Sequence, residues 1–376
     1  MKVVTAGESH GKALVAVIEG LPSGLQLDFE QIAKQLALRQ SGFGRGERQN
    51  IEKDSAEILT GVRNGVTLGS PLTVAVFNRD YENWEEYMSP VSCDTSARRL
   101  TKVRPGHADL TGLKKYGGSD ARNILERASA RETAVRVAAG EICRTLLKEL
   151  GVEITGYVKQ VGPIKDGGDY SFEQIQSGRL PELFMVDKEA QKRAIEFISS
   201  CKEEGDTCGG VLELRIKGLK SGFGSCMSYA QKLDARLAAA LMSVQAIKGV
   251  EVGEGFALAG KKGSCAHDEI CYEEGKFCRK SNRAGGIEGG MSNGEEIVLR
   301  AAMKPIPTLM RGLATVDYET KEPVRAATER SDVSAVLACE IVLESAVAAE
   351  LAQTVLERLG GDRMDEVKER YGRLPQ

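Results

Sequence analysis

Ile18-Glu19-Gly20-Leu21-Pro22-Ser23-Gly24 recurs in altered form as Ile216-Lys217-Gly218-Leu219-Lys220-Ser221-Gly222. Each copy follows an alternating apolar run: Leu14, Ala16 and Ile18 in the first, Leu212, Leu214 and Ile216 in the second. That period of two marks a half-buried strand. A helical pattern follows each copy. Two strand, glycine-turn and helix units in one chain favour an α/β or α+β duplication over two unrelated domains.

Working outward, Asp28 is placed to cap a helix, with Gln31 at the capping-box position and Phe29, Ile32 and Leu36 on one face. A helix over 130–150 shows Val135, Ala138, Ala139, Ile142, Leu146 and Leu150 as an amphipathic stripe stopped at Gly151. Residues 228–248 and 333–358 read the same way. Strands are expected at 66–77, 152–158, 211–216 and 296–303, several joined by turns short enough for antiparallel pairing. The strand–helix–strand rhythm of a dinucleotide-binding sheet is missing, as is any Gly-x-Gly-x-x-Gly after a strand. No linker divides the 376 residues, which predicts a single domain over 1–376. The weakest seam, Gly162–Pro181, reads as surface loop.

Composition narrows the function. Apolar residues make up 41% and the net charge is −3, which supports a folded core and argues against a general nucleic-acid binder. No apolar run is long enough for a membrane helix. Polar residues at Gly7-Glu8-Ser9-His10 stand where a signal peptide needs apolar ones, so the expected location is cytoplasmic. Nine scattered cysteines predict free thiols. Cys265, Cys271 and Cys278 lie near His267, but their gaps fit no common zinc spacing, and no metal is expected.

Of three histidines, His10 lies in Gly7-Glu8-Ser9-His10-Gly11 and His107 in Arg104-Pro105-Gly106-His107-Ala108-Asp109. Histidine moves protons near neutral pH with little tuning, although each alone also fits a surface turn. Arg39, Arg45 and Arg48 surround Gly42-Phe43-Gly44, and residues 98–136 hold ten Lys/Arg against four Asp/Glu. A solvated basic face explains the count but not the interleaved glycines. Guanidinium groups beside glycine-rich loops suit a multiply charged small anion. With aromatics at 5%, stacking platforms for nucleic acid are scarce. Arg127-Ala128-Ser129-Ala130-Arg131 opens a helix, a favourable anion site. The glycine-rich 282–294 stretch and Lys304-Pro305-Ile306-Pro307-Thr308 also read as ligand loops. Ser331 or Asp332 would by itself be read as a helix N-cap.

Taken together, these segments resemble the chorismate synthase family nearly end to end. Gly7–Pro22, Glu126–Gly140 and Arg330–Ala346 resemble its three long signatures, with the 104–109, 282–294 and 304–308 loops between them in family order. Glu141 and Cys339 depart from the pattern. The resemblance implies an α+β fold with helices sandwiched between antiparallel sheets and an internal pseudo-duplication. It implies a lyase of the shikimate pathway of aromatic amino acid biosynthesis. The reaction is anti 1,4-elimination of phosphate from 5-enolpyruvylshikimate-3-phosphate, giving chorismate, dependent on reduced FMN but without net use of reductant. A homotetramer, no nucleic acid and no membrane partner are implied. By the same resemblance, His10 protonates the leaving phosphate, His107 protonates or steadies the reduced flavin, and Asp332 lies near flavin N5. Arg127, Ala128, Ser129, Gln245, Ala246, Gly289, Lys304, Pro305, Ile306, Pro307, Thr308 and Arg330 are implied to line FMN. Arg39, Arg45, Arg48, Arg104 and Arg131 are implied to hold substrate, and Arg39 and Arg45 are also linked to NADPH. A flavin oxidoreductase and a non-enzymatic anion-binding module are the alternatives.

Overall fold

The structure is a computed structural model and describes residues 1–46, 52–328 and 332–375. Its first half runs β1 (Lys2–Ala6), β2 (Ala13–Glu19), α1 (Phe29–Gln40), β3 (Ala56–Thr60), β4 (Leu72–Phe77) and α2 (Thr133–Glu149). Its second half repeats this order with β5 (Glu153–Val161), β6 (Gly210–Lys217), α3 (Leu233–Met242), β7 (Ile247–Val252), β8 (Ile297–Met303) and α4 (Val336–Leu359). The sheets match in topology. One is β1-β2-β4-β3 and the other β5-β6-β8-β7, with the short strand Ile164–Lys165 added beside β5. Every pairing within them is antiparallel.

The repeated sequence motif is held by a repeated set of hydrogen bonds. Thr67 Oγ1 donates to the Pro22 carbonyl at 2.7 Å and accepts from Leu25 N–H at 3.0 Å. Ser292 Oγ donates to the Lys220 carbonyl at 2.7 Å and accepts from Phe223 N–H at 2.9 Å. Gly24 and Gly222, with φ of +85° and +88°, donate to the Thr67 and Ser292 carbonyls. A side chain is disfavoured at such φ, so both turns call for glycine. Each hydroxyl satisfies backbone groups that a buried turn would otherwise leave unpaired.

α2 packs on the first sheet, α4 on the second, and the two helices on each other. The expected stripe of α2 is buried, and the sandwich also buries Ala134, Val137 and Cys143, while Arg136 and Arg144 are half-buried and Lys148 and Glu149 exposed. One core joins both halves, from Leu14 and Ile18 to Leu214, Ile216 and Leu351. The helices meet at Gly140, where an added Cβ would lie 2.5 Å from both the carbonyl oxygen and the Cβ of Ser345.

Buried charge accompanies this contact. Arg144 bridges Glu141 and Glu344, and Arg179 bridges Glu340 and Glu344. Burial opposes ionisation of Glu344, but the two arginines outweigh it and hold the carboxyl low. Burial, reinforced by the Glu344 charge, pushes Glu340 well above the ordinary range. The departure at Glu141 therefore belongs to a core network.

Other expectations change. Asp28 caps α1 through Gln31 N–H at 2.9 Å, but Phe29 is exposed and Arg39 takes a place on the buried face. The 228–248 helix is confined to Leu233–Met242, because Ile247 onward pairs with β8. The Gly162–Pro181 segment is packed structure. Asp166 is buried and accepts from Val186 N–H, Asp187 N–H and Tyr170 O–H. Ser171 caps the helix Phe172–Gly178.

The Gly140 contact yields a prediction. Alanine favours an exposed helix by about 1 kcal/mol over glycine, yet Gly140→Ala should destabilise the protein by about 1–3 kcal/mol, the usual range for overpacking. Denaturation midpoints of the two proteins check this, and a stabilised variant would contradict the close packing.

Candidate active site

A cavity of about 590 Å³ opens where the first turns of α2 and α4 meet. Thr133 of α2 and Ala335, Ala338 and Cys339 at the start of α4 line it. Both helices therefore point the positive ends of their dipoles at one space. No side chain caps α4, whose N-cap position is Ala335. This corrects the capping role considered for Asp332.

Both loop histidines line this cavity. His10 Nδ1 lies 2.9 and 3.0 Å from the two carboxylate oxygens of Glu126, and its backbone N–H donates to Glu126 Oε2 at 2.8 Å. Burial tends to raise Glu126, but the contacts with His10 and the charge of Arg122 outweigh it and hold the carboxyl below its ordinary range. His107 Nδ1 lies 2.5 Å from Asp109 Oδ1. Burial opposes the Asp109 charge too, and His107 and Arg104 together hold that carboxyl far below its usual value. In each pair the carboxylate occupies Nδ1, and at His107 the Arg104 Nη2 also lies 3.1 Å from Nδ1 and 3.5 Å from Nε2. Such a carboxylate partner fixes the orientation of the ring.

The arginines are crowded. Asp54, wholly buried, sits between Arg39 Nη1 at 3.1 Å and Arg131 Nη1 at 2.5 Å. Arg39 also donates to Thr133 Oγ1 and the Ala130 carbonyl, and Arg131 to Asn78 and Glu52. Burial lowers Arg39 to about 10, with Asp54 opposing and the neighbouring Arg131 and Arg45 reinforcing the shift. Arg45 Nη1 lies 2.8 Å from Asp332 Oδ2, while Gly46 N–H donates to Asp332 Oδ1 at 2.6 Å. Arg104 holds Asp109 through both Nε and Nη2. Each of these arginines thus leans on a carboxylate; five cations (Arg39, Arg45, Arg104, Arg131 and Lys304) and two acids (Glu52 and Asp332) line the cavity itself, with Asp54, Asp109 and Glu126 set behind them.

The second half supplies the opposite character. Val244, Ile306, Ala335, Ala338 and Val342 form an apolar wall. Gln245 donates to Glu132 at 3.3 Å, and its Oε1 is buried without a partner. Ala246 has φ of +70°, a strained backbone for a residue with a side chain. Lys304 bonds the Gly106 carbonyl and so ties the two loops together.

Of the expected residues, His10, His107, Asp332, Arg39, Arg45, Arg104, Arg131, Ala128, Ser129, Gln245, Ala246, Lys304, Ile306, Pro307 and Thr308 share the cavity. Arg127 is bonded to Thr5 and Gly7 and lies outside the lining, as does Pro305. Gly289 sits in the turn between the short strands Ile287–Glu288 and Met291–Ser292, and no residue of 282–294 reaches this cavity. Arg48, Arg330 and Ser331 lie outside the described residues. Cys339, the other departure from the family pattern, lines the cavity, its thiol pushed up to about 12 by burial. Glu126, Asp109 and Asp54 were not singled out as site residues. Asp109 and Glu126 stood inside quoted motifs, whereas Asp54 carries no local signal. Antiparallel pairing sets Cys271 opposite Cys278, and Glu273 lies with them within 4.8 Å. His267 and Cys265 are not part of that group.

A sequence model of the chorismate synthase family matches residues 1–356. The chorismate synthase of Geobacter sulfurreducens is 52% identical over 99% of this chain and 97% of its own length. That of Alkaliphilus metalliredigens is 52% identical over 98% of each. A crystal structure of chorismate synthase superposes with a TM-score of 0.78 at 39% identity, over 99% of this chain and 96% of the other.

Asp54 offers a test of the site's electrostatics. Asp54→Asn leaves Arg39 and Arg131 facing each other without their shared counter-ion, and stability should fall by about 3–5 kcal/mol. Inorganic phosphate should recover part of the loss by supplying the missing charge. Thermal midpoints with and without phosphate check this, and an unchanged midpoint would show that the two guanidinium groups do not depend on Asp54.

Proposed function

The chain belongs to the chorismate synthase family of carbon–oxygen lyases, and from that premise we propose that it eliminates phosphate from 5-enolpyruvylshikimate-3-phosphate to form chorismate with reduced FMN as cofactor. The observation that carries this reading is the meeting of two carboxylate-backed histidines in one cavity lined by four arginines. The substrate brings a phosphate and two carboxylates, and the cofactor another phosphate, which suits the excess of guanidinium charge.

The cavity's donors fit FMN. A flat ring with a polar edge matches the apolar wall, the unpartnered Gln245 Oε1 and the unpartnered, buried Arg45 Nε. Ala128, Ser129, Gln245, Ala246, Lys304, Ile306, Pro307 and Thr308 would hold it, and the remaining arginines would hold substrate. When bound and reduced, FMN supplies transient electron density that assists C–O cleavage and is not consumed.

The chain's own groups then have distinct tasks. Glu126 holds the His10 ring so that a proton on Nε2 meets the leaving phosphate. Asp109 does the same for His107, on the cofactor side. Arg45 and the Gly46 amide fix Asp332 as a carboxylate beside the C6 hydrogen's path. The arginines neutralise the phosphate as it departs. A cytoplasmic homotetramer completes the proposal, on the strength of the family.

Anaerobic incubation with substrate and pre-reduced FMN, read as phosphate release and product absorbance, tests this function. Many turnovers per flavin are expected, and stoichiometric loss of reductant would make the protein an oxidoreductase. NADPH in place of pre-reduced flavin shows in a second arm whether the chain reduces its own cofactor.

Two mutational outcomes follow. Asp332→Asn keeps an acceptor for Gly46 N–H but loses the charge, so turnover should drop roughly 10²-fold, and the thermal midpoint should fall as well because Arg45 loses its counter-ion. Wild-type turnover in that variant would leave Asp332 only a structural part. His10→Ala and His107→Ala should each slow turnover by ~10–10³-fold. Only His107→Ala should alter the absorbance of the bound reduced flavin, and His10→Ala should slow single-turnover phosphate release at a normal spectrum. The reverse pattern would exchange their roles.

A further inference from the structure

Trp84 is the chain's single tryptophan, and it is only 9% exposed. Its indole stacks on the His10 ring with centroids 3.9 Å apart and planes 26° apart. The Arg98 guanidinium carbon lies 4.0 Å from the indole centre. Two groups that close to one ring centre cannot share a face, so Arg98 covers the side away from His10. Arg98 reaches there with φ of +56°, a conformation that costs free energy at a non-glycine residue, and it also lies over Tyr87 at 4.7 Å. The indole N–H donates to Asp80 Oδ2 at 3.0 Å, which fixes the ring within its own plane. Arg122 lies 5.3 Å from the indole and 3.6 Å from Glu126. Trp84 is thus held at its edge and outer face and presents its inner face to His10.

We propose that Trp84 is a positioning residue for proton transfer at His10, the indole fixing the plane of the imidazole while Glu126 fixes its rotation. Two constraints are needed because Glu126 bonds a single ring atom, about which the ring can still tilt. A tilt moves Nε2, and small misplacements of a reacting group are costly in rate. The charged groups facing this assembly are Glu126 on Nδ1, Arg122 beside Glu126, Arg98 beyond the indole and Asp80 at its edge. The electron-rich indole face is also a favourable neighbour for an imidazolium. The inference rests on the reading of His10 as the proton donor to the leaving phosphate.

The experiment has two arms. In the first, the intrinsic fluorescence of the lone tryptophan is followed against pH in the wild type and in His10→Ala. An imidazolium quenches a stacked indole, so a titration present in the wild type and absent in His10→Ala is expected; identical curves would overturn the contact. In the second, kcat and KM are measured for Trp84→Phe and Trp84→Leu. The phenyl ring keeps a flat face, so Trp84→Phe should stay within about threefold of wild type, whereas Trp84→Leu should lose roughly tenfold or more in kcat with little change in KM and an altered acid limb of the pH–rate profile. Arg98→Gln, which loosens the clamp without touching His10, should show the same signature in milder form and serves if Trp84→Leu does not fold. Wild-type kcat in Trp84→Leu, or in Arg98→Gln where Leu fails to fold, would overturn the proposal. His10→Ala with full turnover would instead remove the reading of His10 on which it rests, and the fluorescence arm separates the two failures.

Discussion

The contact of Gly140 with Ser345 sets the spacing of the two central helices, and the cavity inherits its geometry from that spacing. α2 and α4 run side by side between the sheets, so their first turns arrive together at one end. Any residue larger than glycine at 140 would push the helices apart and widen the cavity floor. The buried arginine–glutamate network further along the pair resists sliding, because Arg144 reaches from α2 to Glu344 of α4. Breaking a buried pair of this kind strands a charge. The helix pair is thereby fixed in separation and in register.

What gathers at that end is an electrostatic imbalance held in check. Arg39, Arg45, Arg104 and Arg131 each bond a buried or half-buried carboxylate, yet Arg39 is still lowered by burial and by its cationic neighbours. The folded chain by itself satisfies geometry better than charge. An anionic ligand placed at this end would relieve the remainder. Low local dielectric strengthens each of these interactions once water is excluded.

The motif at Ile18–Gly24 and Ile216–Gly222 made the duplication legible, because glycine turns with positive φ leave a mark in sequence. Its partners, Thr67 and Ser292, left none: a hydroxyl closing a turn from far along the chain looks like any surface threonine or serine. The same divide runs through the site. His10, His107 and the arginines stood out by residue type beside glycine. Asp54 and Trp84 did not, because their meaning comes from contacts with Arg39, Arg131 and His10 made only after folding. The extent and the buried stripe of α2 were readable, but the burial of Ala134, Val137 and Cys143 beside that stripe was not, since periodicity does not say how many layers cover a helix. The 282–294 glycines read as a ligand loop, but they serve close packing of the chain on itself. What they approach is backbone, Gly253 against Gly285 and Ile297 against Gly286, and not this cavity.

Duplication alone would have given both halves the same chemistry, and the connections broke that symmetry. The turn between β1 and β2 carries His10, whereas the longer connection between β5 and β6 carries helices that pack on the core. The segment after β4 delivers Arg104, His107 and Arg131. Its counterpart after β8 delivers Lys304, Ile306 and Thr308, and α4 brings the apolar wall. The shared hydrogen bonds at Thr67 and Ser292 kept the scaffolds superposable while these connections diverged. A site for one small anion needs no such division, since either helix start would suffice. A site that presses a multiply charged molecule against a flat apolar partner needs a charged half and an apolar half facing each other. The scaffold's near-symmetry is what sets them face to face.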